Sequence, residues 1–242
     1  MAGCPRVLGS PGERARFSGL LRASLPLGAV LVLCGYALGA FIPWGNGLSA
    51  VLKAAIVVGL AVAIFLATAA TQSRVDAFFK GARGEEQIAL TLAGLPDGYT
   101  VLHGVVLGHG GLWRGLNLDH VVVGPTGLVL IETKNWQGVV TCQDGSLKVN
   151  GADPTRSPID QIRAQSRILS AWLAERLPEA PPPVRPLICF AGEALEAVRI
   201  TVDEITLCRS DGLIGTITQT PPPSTWDTAT EARIIQLLAR QV

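Results

Sequence analysis

Residues 118–135 read LDHVVVGPTGLVLIETKN, two apolar runs on either side of a Gly-Pro-Thr-Gly turn. Near-continuous runs of Val, Ile and Leu of this length point to strands buried on both faces. A two-residue turn at Pro125-Thr126 makes them antiparallel neighbours. With the turn symmetric about that pair, residues whose numbers sum to 251 stand opposite one another, which sets Asp119 against Glu132. Side chains alternate along a strand, so Lys134 shares the face of Glu132 two residues further on.

Two carboxylates held opposite one another repel unless a cation lies between them. Hard oxygen ligands suit Mg²⁺ or Mn²⁺, so Asp119 and Glu132 are the candidate metal ligands. A lysine beside such an ion can orient or deprotonate the attacking water and stabilise developing phosphate charge. A Glu-x-Lys triplet means little alone in a chain with ten Glu and four Lys. Its weight comes from its place at the end of an apolar strand, where charges are rare, and from the opposing Asp119.

Working outward, residues 75–93 place Phe78, Ala82, Ile88, Ala89 and Leu92 at helical spacing, and Glu85 falls on the same stripe. A carboxylate aimed at the sheet is costly without a partner, which makes Glu85 a third candidate acid beside the alternative of a salt bridge to an arginine. Strands are expected over 100–107, 116–123 and 127–133. Ser157-Pro158-Ile159-Asp160 opens a helix with a capping Ser, a Pro at the first helical position and an acid in the first turn. Beyond the Pro181-Pro182-Pro183 connector, Val184 to Phe190 reads as a buried strand, 198–202 and 205–209 as short edge strands, and 228–240 as a closing helix. The order α-β-β-β-α-β-β-β-α gives an α/β domain with a mixed sheet flanked by helices.

The 48% of hydrophobic residues is concentrated ahead of this domain. Leu25 to Ile42 is an uncharged stretch of 18 residues, and Leu48 to Ala70 is a stretch of 23 whose one charge is Lys53. A hydrocarbon layer of roughly 30 Å takes about 20 helical residues to cross, so the pair is expected to form a two-helix transmembrane hairpin over 25–70. The domain organisation is then a basic segment over 1–24, the hairpin, and the α/β domain over 71–242. Arg6, Arg14, Arg16 and Arg22 precede the first span and Arg74, Lys80 and Arg83 follow the second, while the connecting Pro43 to Gly47 is uncharged. This places the chain in the cell membrane with both termini and the α/β domain cytoplasmic. Cleavage of the first span as a signal peptide near Ala37-Leu38-Gly39-Ala40 is the competing reading. Gly35, Gly39 and Gly59 would let the two helices, or a second copy of the chain, approach closely.

From residue 71 onward the chain carries 15 Lys and Arg against 18 Asp and Glu. A mildly acidic domain argues against strong non-specific nucleic-acid binding through a broad basic face. Five cysteines, odd in number and without ligand spacing, read as reduced thiols. His103, His109 and His120 likewise lack ligand spacing and read as structural. Gly108-His109-Gly110-Gly111 reads as a hairpin tip, with Trp113 and Arg114 near it open to two readings, stacking on or pairing with nucleic acid and a loop contact with another part of the protein.

Gly84-Glu85 on the first domain helix, Leu118-Asp119-His120 leading into an apolar strand, Gly127-Leu128 leading into Ile131-Glu132-Thr133-Lys134-Asn135, and Pro158 followed by Gln161 together resemble the NERD, or nuclease-related, branch of the PD-(D/E)xK nucleases. The resemblance covers about residues 78–200. It implies a restriction-endonuclease-like core with a Mg²⁺-dependent nuclease centre acting on DNA or RNA. Carried over, Asp119 and Glu132 would be the metal ligands, Lys134 the catalytic lysine, Glu85 an accessory acid and Gln161 a helix residue reaching the site. Leu118 stands where the family pattern usually has isoleucine, a change without consequence for the chemistry. The alternative function is a catalytically silent, membrane-tethered module of the same fold that binds nucleic acid or protein.

Overall fold

The hairpin that anchors this reading forms in the expected register: His120 pairs with Ile131, Val121 with Leu130, Val122 with Val129 and Gly124 with Gly127. The structure is a computed structural model that describes residues 4–41, 49–108, 115–143, 145–179 and 181–242. His109 to Arg114, which take in Trp113 and most of the glycine-rich tip, and the Pro43 to Gly47 connection lie outside the described residues. Two compact units emerge, one of Met1–Glu13 with Gly81–Val242 and the other of Arg14–Lys80.

The first unit is built on a seven-stranded mixed sheet. Its strands are β1 (Arg6–Leu8), β2 (Thr100–Leu107), β3 (Leu116–Gly124), β4 (Gly127–Lys134), β7 (Val184–Phe190), β8 (Arg199–Val202) and β9 (Ile205–Arg209), in the spatial order β1-β2-β3-β4-β7-β9-β8. β2, β3 and β4 form an antiparallel meander, β4 pairs with β7 and β7 with β9 in parallel, and β8 closes one edge antiparallel to β9. β9 is thus an interior strand, where the sequence suggests an edge, and its Leu207 and Cys208 are fully buried. A separate hairpin, β5 (Val140–Gln143) with β6 (Ser146–Val149), follows β4.

Helices cover both faces. On one side α3 (Pro158–Arg176) and α5 (Thr228–Ala239) bury Ile162, Leu169, Leu173, Ile234 and Leu238 against Leu128, Leu130, Ile188 and Phe190. On the other, the end of α2 (Ala50–Leu92) and the short α4 (Leu213–Thr218) bury Ile88, Leu92, Leu213 and Ile217 against Val129, Ile131, Leu187 and Cys189. β4 and β7 therefore have apolar side chains on both faces, which is why they read as unbroken hydrophobic runs.

The N-terminal segment belongs to this unit. Arg6, Val7 and Leu8 pair in parallel with Thr100, Val101 and Leu102, with the Arg6 N–H donating to the Tyr99 carbonyl at 2.9 Å. Further along β2, the Val106 N–H donates to the Gln241 carbonyl at 2.8 Å. The two ends of the described chain thus share the outer edge of β2, an edge that would otherwise offer unpaired backbone groups.

The second unit comprises most of α1 (Glu13–Phe41) and the first part of α2. Two spans are expected here, but among the described residues one helix, α2, is long and apolar enough to cross a membrane; α1 contributes only the shorter apolar run Ser24–Tyr36. Large apolar side chains of this unit lie exposed, among them Val32, Leu33, Val51, Phe65 and Leu66.

Candidate active site

Glu132 is the centre of a buried polar cluster at the end of β4. It follows Leu128 and Leu130 in alternation and so faces α3, where only 4% of its surface is accessible. The Lys134 Nζ lies 2.7 Å from its Oε1 and donates a second hydrogen bond to the Gln161 Oε1 at 2.9 Å. The Gln161 Nε2 donates to Glu132 Oε1 at 2.6 Å, closing a triangle of three side chains. The Gln165 Nε2, one helical turn on, donates to Glu132 Oε2 at 2.9 Å. Spaced four apart, the two amides share one face of α3. That helix is started where it is by Ser157, whose side chain accepts from the Asp160 N–H, and by Pro158 at its first position.

Asp119 reaches the cluster from β3 through a break in the strand's alternation. Leu118 and Val121, three residues apart, lie in the same core, and so do Leu102 and Val105 on β2. Between them Gly104, opposite Asp119 and at φ +62, takes a backbone conformation that a side chain would oppose. The Asp119 Oδ2 accepts from the Thr133 N–H at 2.9 Å, which ties it to the backbone between Glu132 and Lys134. Burial pushes its carboxyl well above the ordinary range, and the charges of Glu132 and Glu85 push it further up against the opposing pull of the Thr133 N–H and Lys134.

Glu85 arrives on α2. Its neighbour Gly84 allows this, because a Cβ there would stand 2.6 Å from the Asn135 Cβ, so the helix passes the end of β4 only with glycine at that position. Ile88 and Leu92 bury the same stripe in the core. The Glu85 Oε2 accepts from the Gly12 N–H at 3.0 Å. Its carboxyl is raised to about 7, first by burial, with Glu132 and Glu86 adding to the rise and the Gly12 N–H and Lys134 working against it.

The structure therefore brings Glu85, Asp119, Glu132, Lys134 and Gln161 to one place. Sequence reasoning missed Gln165, whose signal is its four-residue spacing from Gln161, and the Gly12 N–H, for which no side chain gives a signal. His103 and His120 stand apart from the cluster. They are paired across β2 and β3, with Nδ1 atoms 2.7 Å apart and rings nearly perpendicular, and burial keeps both neutral, His103 at about 4. His109 lies outside the described residues.

Among the described residues no group of three or more His, Cys, Asp or Glu is closed around a metal-sized space. The donor set nevertheless fits a hard divalent cation. Three carboxylates surround a single ammonium, two of them are held above their ordinary range by burial and by the charge of Glu132, and all offer oxygen.

A nuclease-related domain, described as NERD, matches residues 80–191. That stretch holds all five of the residues named above. The crystal structure of protein VC1899 from Vibrio cholerae aligns over 96% of this chain and 57% of its own, at 13% identity and a TM-score of 0.27. This chain thus spans little more than half the length of that protein. No curated protein matches.

The raised carboxyls have a defined pH signature. A buried acid whose folded value exceeds its unfolded one favours the fold while protonated, a contribution complete below the unfolded value and lost as pH rises through the folded one. For Glu85 that interval runs from 4.5 to about 7, and Asp119 acts with the same sign. Without divalent cations, the thermal midpoint of the full chain in detergent micelles is expected to fall as pH rises through this interval. The slope is expected to shrink markedly in Glu85→Gln. A wild-type midpoint that rises across the interval would contradict the assignment.

Proposed function

We propose that this chain is a membrane-anchored, divalent-cation-dependent nuclease that cleaves phosphodiesters of DNA or RNA at the cytoplasmic face. The observation that carries the reading is the convergence of Glu85, Asp119 and Glu132 on one lysine at the end of β4, inside the stretch that matches the nuclease-related domain. Asp119 and Glu132 would hold Mg²⁺ or Mn²⁺. When bound, the ion supplies Lewis-acid charge to a phosphoryl oxygen and lowers the pKa of water.

The remaining work falls to the chain's own groups. Lys134 is held by Glu132 and Gln161, and in this reading its ammonium would stabilise charge developing on a phosphoryl oxygen or attacking water. Gln161 and Gln165 hold the Glu132 carboxylate in a single orientation, so its charge needs no rearrangement when substrate arrives. Glu85, able to gain or lose a proton near neutral pH, is suited to transfer one.

Membrane anchoring rests on the exposed apolar surface of residues 14–80 and on α2. Connectivity favours two crossings. The chain leaves the first unit at Glu13 and rejoins it at Gly81, so both ends of the intervening segment lie on one side of any bilayer it enters, which an even number of crossings satisfies. The excess of Lys and Arg beside these ends makes that side cytoplasmic.

A silent binding module of the same fold is the second reading, favoured by one observation: both oxygens of Glu132 are already occupied by Lys134, Gln161 and Gln165. Purified full-length chain in detergent micelles, given single- and double-stranded DNA and RNA, separates the two. A nuclease cuts at least one of these in Mg²⁺ or Mn²⁺, and Lys134→Ala lowers turnover by about a hundredfold or more, the loss typical of a group stabilising transition-state charge. No cleavage of any of them by the wild type supports the silent module. Topology has its own test in a cysteine-free background. A membrane-impermeant maleimide applied to intact cells is expected to label Asn46→Cys and to spare Ser146→Cys, and the reverse pattern would overturn the orientation.

A further inference from the structure

The five residues before Glu13 cross from the edge of the sheet to the candidate site. β1 ends at Leu8, paired with Leu102, and Gly9 already lies against the backbone of His103. Four residues past the strand, the Gly12 N–H meets the Glu85 carboxylate at 3.0 Å. Gly12 is buried, at φ +71, and a Cβ there would stand 3.1 Å from the Ala82 carbonyl oxygen and 3.2 Å from the Ala82 Cβ. The position therefore favours glycine twice, once for the backbone conformation and once for the close approach to α2. Such a fit brings a backbone donor onto a carboxylate 73 residues away.

From this geometry we infer that Gly12 is a positioning residue of the candidate site: its backbone N–H, carried in by β1, sets the orientation of the Glu85 carboxylate beside Asp119 and Glu132. The inference rests on the nuclease reading for the purpose of that carboxylate, but not for the contact itself. Glu85 needs such a donor. Glu132 is held by three side chains and Asp119 by the Thr133 N–H, whereas Gly12 gives Glu85 a donor from a segment that lies on the other side of residues 14–80 in the chain. The site is thus assembled from both sides of the apolar segment. Cleavage near Ala40 would carry β1 and Gly12 away with the first helix. In this reading the N-terminal segment is a working part of the folded protein.

The test uses the full chain, made by joining a synthetic segment 1–33 to the remainder at Cys34 and reconstituted in detergent micelles. One version carries an ester in place of the Gly12 amide, which removes the N–H while adding no Cβ. Mn²⁺ affinity is read by electron paramagnetic resonance. Glu85 adds a third carboxylate charge beside the Asp119 and Glu132 ligands, and loss of an outer partner of a metal site costs about ten- to a hundredfold in affinity, so the ester chain is expected to bind Mn²⁺ at least about tenfold more weakly. Hydrogen exchange at Arg6 and Leu8 should show β1 still paired. Equal affinity of ester and amide chains would overturn the inference. A second version carries ¹⁵N at Gly12. Its amide proton resonance is expected to move upfield in Glu85→Ala and to be largely restored in Glu85→Gln, which keeps an acceptor oxygen. If the wild type binds no Mn²⁺, the nuclease reading fails, and the Gly12 resonance decides alone: movement in Glu85→Ala supports the hold, and an unmoved resonance removes it.

Discussion

A carboxylate buried at the end of a central strand is the constraint around which the sheet-bearing unit is arranged. Glu132 ends a run of apolar residues that pack on both faces of β4, and its charge cannot be carried to water without dismantling the end of that strand. An isolated buried charge costs several kcal/mol even after relaxation, so the neighbouring elements must supply donors. Lys134, Gln161 and Gln165 do so. Their positions in turn specify where α3 begins, which face it presents and how it crosses β4.

The same constraint explains the glycines that matter. Gly84 lets α2 pass the end of β4 closely enough to deliver Glu85, and Gly104 lets β2 and β3 break their alternation where Asp119 turns toward the Thr133 N–H. Neither is needed for the sheet itself, which would pair more regularly without them. Backbone irregularity concentrated beside a cluster of like charges marks a place where the fold accepts a cost in stability for a local arrangement. The neutral His103 and His120 pair one residue away from Asp119 belongs to the core, because burial keeps both rings uncharged.

Much of this was legible in the residues, and the exceptions have physical causes. The register of β3 and β4 follows from a two-residue turn, and the shared face of Glu132 and Lys134 follows from alternation. α3 declares its start through Ser157 and Pro158. Gln165 is invisible because a glutamine one turn along a helix is ordinarily a solvated residue, and only the burial of Glu132 gives it a role. β1 is invisible for a different reason: three residues, Arg6 to Leu8, carry no periodicity, and their partner strand starts 94 positions later. The hairpin of β5 and β6 and the short α4 fall below the length at which a pattern can be read.

The central claim is that Asp119 and Glu132 share a divalent cation, and the most direct measurement is the thermal midpoint of the full chain with and without millimolar Mg²⁺, at a pH above the value of about 7 to which Glu85 is raised. An ion that binds only the folded state raises the midpoint by mass action, by about 2.7 kcal/mol of stability at a hundred times its dissociation constant. Wild type is therefore predicted to melt several degrees higher in Mg²⁺, and Asp119→Asn, which keeps the acceptor for the Thr133 N–H but loses the charge, to melt at one temperature in both conditions. A wild-type midpoint that Mg²⁺ leaves unchanged would contradict the claim.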